Sequence, residues 1–219
     1  MIKIAEVVEN LIKKKPFIEG ALHEGLINMS SLARQLKPEV EAKLKKPVQE
    51  GAIIMALKRL APMLDIQMNM KIRKALKQFG DIIVRSNLAD FTFRNSDSLI
   101  TRQTKLLEEI SGRKEFFHTI SKGVFETTIV ISNSLSDELL EIFSKEELIS
   151  KTANLSSITI KLPSENSTIP GLYYFIFKKI AWEGINILEV ISTTNEFTII
   201  LNEKDVDHAF SVLKSIGKT

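Results

Sequence analysis

The sequence predicts an α+β protein in two parts: an all-helical module, then a strand–helix–strand–strand–helix unit that occurs twice. Three observations carry this. Apolar residues recur at helical spacing through the first third, whereas from Asp81 onward strand-like runs alternate with amphipathic ones. The segments "TTIVISN" and "FTIILNE" hold the same place in two stretches about 70 residues apart. The charge also changes sign, with 15 Lys+Arg against 8 Asp+Glu over 1–80 and 15 against 19 over 81–219.

In order, Ile4, Val7, Val8, Leu11 and Ile12 mark a first helix, closed by Lys13-Lys14-Lys15-Pro16. A second covers Phe17 to Glu24 and stops at Gly25. Ser30 or Ser31 is expected to cap a third helix through Gln35, and Pro38 to open a fourth that runs to Lys46. Pro47 and Pro62 bracket a further helix bearing Val48, Ile53, Ile54, Leu57 and Leu60. Short helices, tight turns and an extended Leu26-Ile27 step resemble a helix-turn-helix or winged-helix module over residues 1–64. A linker helix over 65–80 ends at Gly80.

The first unit, 81–150, reads as strand ("IIVRSNLADFTFRN"), helix ("SLITRQTKLLEEISG"), a hairpin turning at Lys122-Gly123, and a helix capped by Ser136. The second, 151–219, reads as strand ("SSITIKLP"), helix ("IPGLYYFIFKKIAWEG"), a hairpin turning near Thr194-Asn195, and a last helix ("KDVDHAFSVLKS"). Gly112 and Gly184 end the matching helices. Each unit follows the split-βαβ, ferredoxin-like plan.

The composition narrows the chemistry. At 44% hydrophobic and 26% charged the chain can bury a core. It has no cysteine, which excludes disulfides, thiolate nucleophiles and Cys-type zinc sites. No apolar run approaches the roughly 18 residues a spanning helix needs, and the charged first 22 residues do not read as a signal peptide, so a cytoplasmic protein is expected. His23, His118 and His208 have no ligand-like neighbours at metal spacing, and no nucleophile elbow, P-loop or dinucleotide motif occurs. The expectation is a protein that is not an enzyme and needs no metal or cofactor.

One loop invites a ligand. Pro170 presets a helix start, and Gly171 leaves the backbone bare where a small molecule can approach. The N-terminus that follows offers N–H groups and partial positive charge to a carboxylate.

Strand, loop, Pro170-Gly171, helix, Gly184-Ile185-Asn186, then Ser192-Thr193-Thr194-Asn195-Glu196 before the last strand together resemble an ACT domain. The pair of units is similar to the tandem ACT domains that regulate aspartate kinases. The likeness is closest over about Leu155 to Ile216 and weaker in the first unit, whose loop "RNSDSLI" lacks Pro-Gly. The kinase catalytic domain has no counterpart here, so the resemblance implies regulation and not phosphoryl transfer. It also implies amino-acid binding, usually across a homodimer interface. Carried over, the loop supplies Ser167, Thr168, Gly171 and Leu172. The strand supplies Asn186, Ile187, Leu188 and Glu189, and the hairpin supplies Thr194, Asn195 and Glu196. Ser96, Asp97 and Ser98 in the first unit are expected to cap a helix.

The basic first third offers Lys43, Lys45, Lys46, Gln49, Lys58 and Arg59 to DNA. Against that reading, "GAIIMALK" is too apolar for a fully exposed base-reading face. Two functions stay open: a ligand-responsive transcriptional regulator, or a regulatory or scaffolding subunit that docks on an enzyme of amino-acid metabolism without touching DNA.

Overall fold

The computed structural model describes residues 3–63 and 66–216; residues 1–2, 64–65 and 217–219 of the expected modules lie outside them. The chain divides into two compact units, Met1–Arg73 and Lys74–Thr219.

The first unit is helical: α1 (Ile4–Ile12), α2 (Pro16–His23), α3 (Met29–Leu44) and α4 (Glu50–Leu60), with α5 (Ile66–Lys77) reaching past its end. Val7, Val8, Leu11 and Ile12 of α1, Leu32, Ala33, Leu36 and Val40 of α3, and Ile53, Ala56 and Leu57 of α4 form one core. Each large aliphatic side chain so buried contributes roughly 1.5–3 kcal/mol. Where two helices were expected around Pro38, one continuous α3 runs. The lost N–H and ring clash of an internal proline cost about 3 kcal/mol, and the buried stripe on both sides of Pro38 offsets them. The cap is Asn28, whose side chain accepts from the Ser31 amide at 3.0 Å, and not Ser30 or Ser31. The described residues of this unit contain no strand, so the strand pair that would make a wing is absent from them.

The second unit holds both repeats: β1 (Ile82–Arg94), α6 (Leu99–Ile110), β2 (His118–Lys122), β3 (Glu126–Ser132) and α7 (Ser136–Ile142), then β4 (Leu148–Lys161), α8 (Leu172–Trp182), β5 (Glu189–Ser192), β6 (Glu196–Asn202) and α9 (Val206–Ile216). Ser136 is not the cap expected of it: it is the first residue of α7, and its hydroxyl donates to Asn133 Oδ1.

The strands form a single antiparallel sheet in the order β2-β3-β1-β4-β6-β5. Its centre is a feature the repeat pattern did not foretell. β4 begins at Leu148, eight residues before the expected "SSITIKLP", and pairs with β1 along nearly its whole length, from Ile82↔Ile160 to Phe93↔Leu148. The first half of each long strand therefore completes the other repeat's sheet, while its second half belongs to its own. Leu88 opposes Leu155 at the local pseudo-twofold axis. Next to that pair Asn87 (φ 58°) and Asn154 (φ 56°) occupy the left-handed region, which asparagine tolerates. They sit where the register shifts, and the bulges bend both strands and let the sheet curl.

One face of each repeat is covered by its two helices. Ala89, Phe91, Phe93, Ile129 and Ile131 meet Leu99, Leu106 and Ile110 of α6 and Leu139 and Ile142 of α7, and Phe93 stacks on Phe143 at 4.8 Å. In the second repeat Ile158, Ile160, Phe197, Ile199 and Leu201 are buried together with Leu172, Ile176 and Ile180 of α8 and Ala209, Leu213 and Ile216 of α9. The other face is concave, with Leu88, Val130, Leu155 and Ile200 buried along its centre beneath Phe117, Leu188 and Ile191. Matched hydroxyl pairs flank that strip, Thr92 with Thr128 at 3.1 Å and Thr159 with Thr198 at 2.8 Å.

Candidate functional site

The two repeats differ most in the connection from the long strand to the first helix. It takes four residues in the first repeat (95–98) and ten in the second (162–171). Both loops leave the sheet alike: the Asn95 amide donates to Phe125 O at 2.9 Å, and the Leu162 amide to Asn195 O at 2.7 Å.

In the second repeat the longer loop folds around Asn166, which is 5% exposed. Its Nδ2 donates to Pro163 O at 2.8 Å and to Thr194 O at 2.7 Å, fastening the loop to the tip of the β5–β6 hairpin. Asn166 begins a one-turn 3₁₀ segment, and the Thr168 hydroxyl donates to Glu165 O at 2.8 Å. Gly171 then takes φ 84°, a left-handed conformation that costs an L side chain about 1–2 kcal/mol, and opens α8 with no side-chain cap. Behind it Leu172 is buried, Tyr173 donates to or accepts from Ser192 at 2.9 Å, and the Tyr173 ring stacks on Phe197.

The structure thus brings together part of the expected constellation. Ser167, Thr168, Gly171, Leu172, Thr194 and Asn195 lie on two segments joined by Asn166 and by the Leu162–Asn195 bond. Asn186, Ile187 and Leu188 lead into β5, where the Leu188 amide donates to Ile200 O at 2.8 Å. Glu189 stands apart from the loop: it opposes Ile200 on the concave face, close enough to Asp90 for the two carboxylates to repel. Asn166 escaped the sequence reading although "SENST" beside Pro163 is the composition of a side-chain-stabilised turn.

The short loop of the first repeat departs from expectation. Ser98 occupies the cap position of α6 but makes no capping bond. Instead Ser96 and Ser98 donate to the two carboxylate oxygens of Glu146 at 2.5 and 2.7 Å, with Arg102 Nε 3.8 Å away. The Glu146 side chain is 2% exposed. The two hydroxyls, and secondarily Arg102, hold its carboxyl below the ordinary glutamate range against the opposing effect of burial.

On the concave face lies a cavity of about 530 Å³, with Arg85, His118, Thr159, Thr198 and Ile191 among its walls; of the expected ligand-binding residues only Glu196 lines it. Near the centre of the same face Asp90 is 7% exposed, and burial first, then the Glu189 carboxylate, push its pKa up to about 6 against the opposing Thr92 hydrogen bond. Burial also raises Glu189.

In the helical unit Lys43, Lys45, Lys46, Gln49, Lys58 and Arg59 are all exposed. The apolar residues of "GAIIMALK" that argued against a reading face are largely core, with Ile53, Ala56 and Leu57 turned inward and Met55 outward. Among the described residues no three His, Asp or Glu side chains converge as a metal site, and no helix is long and apolar enough to cross a membrane.

Two βαββα repeats fused through their long strands define the class, a tandem ACT-like pair. Solved structures that superpose on this chain include a regulatory subunit and whole enzymes of the aspartate kinases. The regulatory subunit of aspartate kinase from Thermus thermophilus superposes with a TM-score of 0.51 at 13% identity, over 62% of this chain and 95% of that one. The α and β subunits of an aspartokinase match with a TM-score of 0.51 at 16% identity, over 64% and 99%. Aspartate kinase from Clostridium acetobutylicum matches with a TM-score of 0.51 at 17% identity over 62% of this chain, which spans only 34% of that enzyme. No family model matches the sequence, and the search of curated proteins found no match. At these identities the likeness is one of fold.

Proposed function

We propose that this chain is a non-catalytic regulatory protein whose second repeat binds a small carboxylate ligand, an amino acid, and whose helical unit carries the output. The observation that carries the reading is the ten-residue loop, fastened by Asn166 to the hairpin tip and ending in a left-handed glycine at the start of α8. That start offers N–H groups and a positive dipole end to an anion. The loop's Ser167, Thr168, Gly171 and Leu172, the strand's Asn186, Ile187, Leu188 and Glu189, and the hairpin's Thr194, Asn195 and Glu196 are the residues assigned to the ligand. The fold shared with kinase regulatory subunits supports a regulatory role, and a homodimer joined through the repeats is part of the proposal.

Thermal unfolding with each common amino acid tests it. A ligand at about 100 times its Kd adds roughly 2.7 kcal/mol, which moves the midpoint by several degrees. One amino acid should give the shift, and Gly171→Val or Asn166→Ala should abolish it. A flat response to every amino acid refutes the ligand claim.

For the output, the exposed cations at the end of α3 and on α4 fit an anionic partner, either duplex DNA or an acidic enzyme surface. Affinity for duplex should fall steeply with salt if these lysines grip phosphates. Absence of any gel shift at low salt leaves enzyme docking as the output.

A further inference from the structure

The pseudo-twofold axis gives residues on the regular stretches of one repeat's strands counterparts in the other. The Arg94 amide, at the end of β1, donates to Glu147 O at 3.0 Å, and the Lys161 amide, at the end of β4, donates to Asp81 O at 3.1 Å. Arg94 and Lys161 are equivalent, so by these bonds Asp81 answers to Glu147; one residue earlier the repeats part, the Gly80 amide donating to Lys161 O and the Glu146 amide to Phe143 O. Glu146 brings a side chain only 2% exposed to this end of the first repeat's strand, and Gly80 brings none to the other. The bareness of Gly80 is enforced by its neighbour. Its amide donates to Lys161 O at 2.9 Å, and a Cβ added there would stand 3.0 Å from Lys161 Cβ.

We propose that Glu146 is a resident ligand of the first repeat: its carboxylate, held by Ser96 and Ser98 in front of α6, occupies from within the mouth of that repeat's first helix. Two hydroxyls and a guanidinium Nε converging on one carboxylate form an acid-binding cradle, and the acid is supplied by the chain itself. Arg102 Nε is buried without a hydrogen-bond partner, at 3.8 Å from the carboxylate, so the cradle keeps one donor in reserve. The first repeat is thereby fixed in an occupied arrangement, and each chain retains one open seat. That count rests on the ligand reading above. Occupancy of the cradle by Glu146 does not, so the two claims fail separately.

The test is chemical rescue in the full-length protein. Glu146→Ala removes the carboxylate and leaves room for acetate. The thermal midpoint should drop by several degrees, on the order of 5 °C, through loss of charge-assisted hydrogen bonds. Acetate at about 100 mM should restore much of that loss, while chloride at equal ionic strength and the neutral isostere acetamide should not. The wild-type midpoint under each addition sets the baseline, and rescue is the acetate shift of the variant beyond it. A variant as stable as wild type, or one that acetate and chloride affect alike, overturns the proposal. Should Glu146→Ala not fold alone, refolding yield becomes the measurement. Folding that returns with acetate and not chloride carries the proposal, and folding that returns with neither overturns it.

Discussion

The two repeats share a plan and a sheet yet treat the mouth of the first helix oppositely. The first has a four-residue loop and closes it with its own Glu146. The second has a ten-residue loop built around Asn166 and ending in a left-handed Gly171. The contrast shows how duplication separates two tasks. On the ligand reading proposed above, once both copies form one sheet only one loop has to stay available to a ligand, and the other can be given to stability. The hydrophobic layers of both copies remain under the same constraint, because each completes its neighbour's sheet through half of a long strand.

The hardest blow to that picture would be evidence that the repeats fold independently. Phe93, stacked on Phe143, and Phe197, stacked on Tyr173 at 5.1 Å and edge-on to Phe177 at 5.6 Å, are the aromatic anchors of the two repeats, each 1% exposed. Truncation to alanine at either site should destabilise the protein by about 3–5 kcal/mol. If the shared strands couple the copies, Phe93→Ala should speed hydrogen exchange in β6 as much as in β3, and Phe197→Ala should do the same in reverse. Exchange that rises only in the mutated repeat would make the common sheet a contact between two separate domains.

How much of this was legible beforehand follows from where the information lies. The helix-covered faces announce themselves: Phe91 and Phe93, and Ile158 and Ile160, alternate apolar with polar around Thr92 and Thr159, while Ile129, Val130 and Ile131 form a strand apolar on both faces, so strands and repeat could be read directly. The fusion of the sheets could not. The pairing half of β4, "LISKTAN", is mostly exposed and polar, and it is held by backbone hydrogen bonds that leave little mark on side-chain identity. One trace was present, since "SNLA" (86–89) and "ANLS" (153–156) recur at the two bulges. The Glu146 cradle was hidden for a different reason. Its partners lie about 50 residues apart, and a serine near a helix start is more often a cap than a donor to a distant glutamate. In the helical unit Pro38 misled, because the rule that proline begins a helix yields where a buried face is continuous on both sides.

A smaller contrast sits on the concave face, where the axis makes Asp90 the counterpart of Ser157. Asp90 Oδ2 and Ser157 Oγ are both buried with no hydrogen-bond partner. They differ in charge, so they should differ in response to pH. The folded-state pKa of Asp90 is raised to about 6, chiefly by burial and next by Glu189. The fold therefore favours its protonated form, and the stability tied to that proton is fully present below the unfolded pKa, near 4. It is lost as pH rises from about 4 to about 6, and above that the charge is a standing liability. Asp90→Asn keeps the shape and removes the charge. It should raise stability at neutral pH by on the order of 2 kcal/mol and flatten the slope between about pH 4 and 6. Ser157→Ala should shift stability by less than about 1 kcal/mol and leave the slope intact. Denaturant midpoints across that pH range separate the cases. An Asp90→Asn protein that keeps the wild-type slope would move the titrating group elsewhere, with Glu189, also raised by burial, the next to replace. An Asp90→Asn protein less stable than wild type at pH 7 would mean that the buried charge is matched by an interaction of its ionised form, and the concave face would then be a place where the two halves of the sheet share a cation.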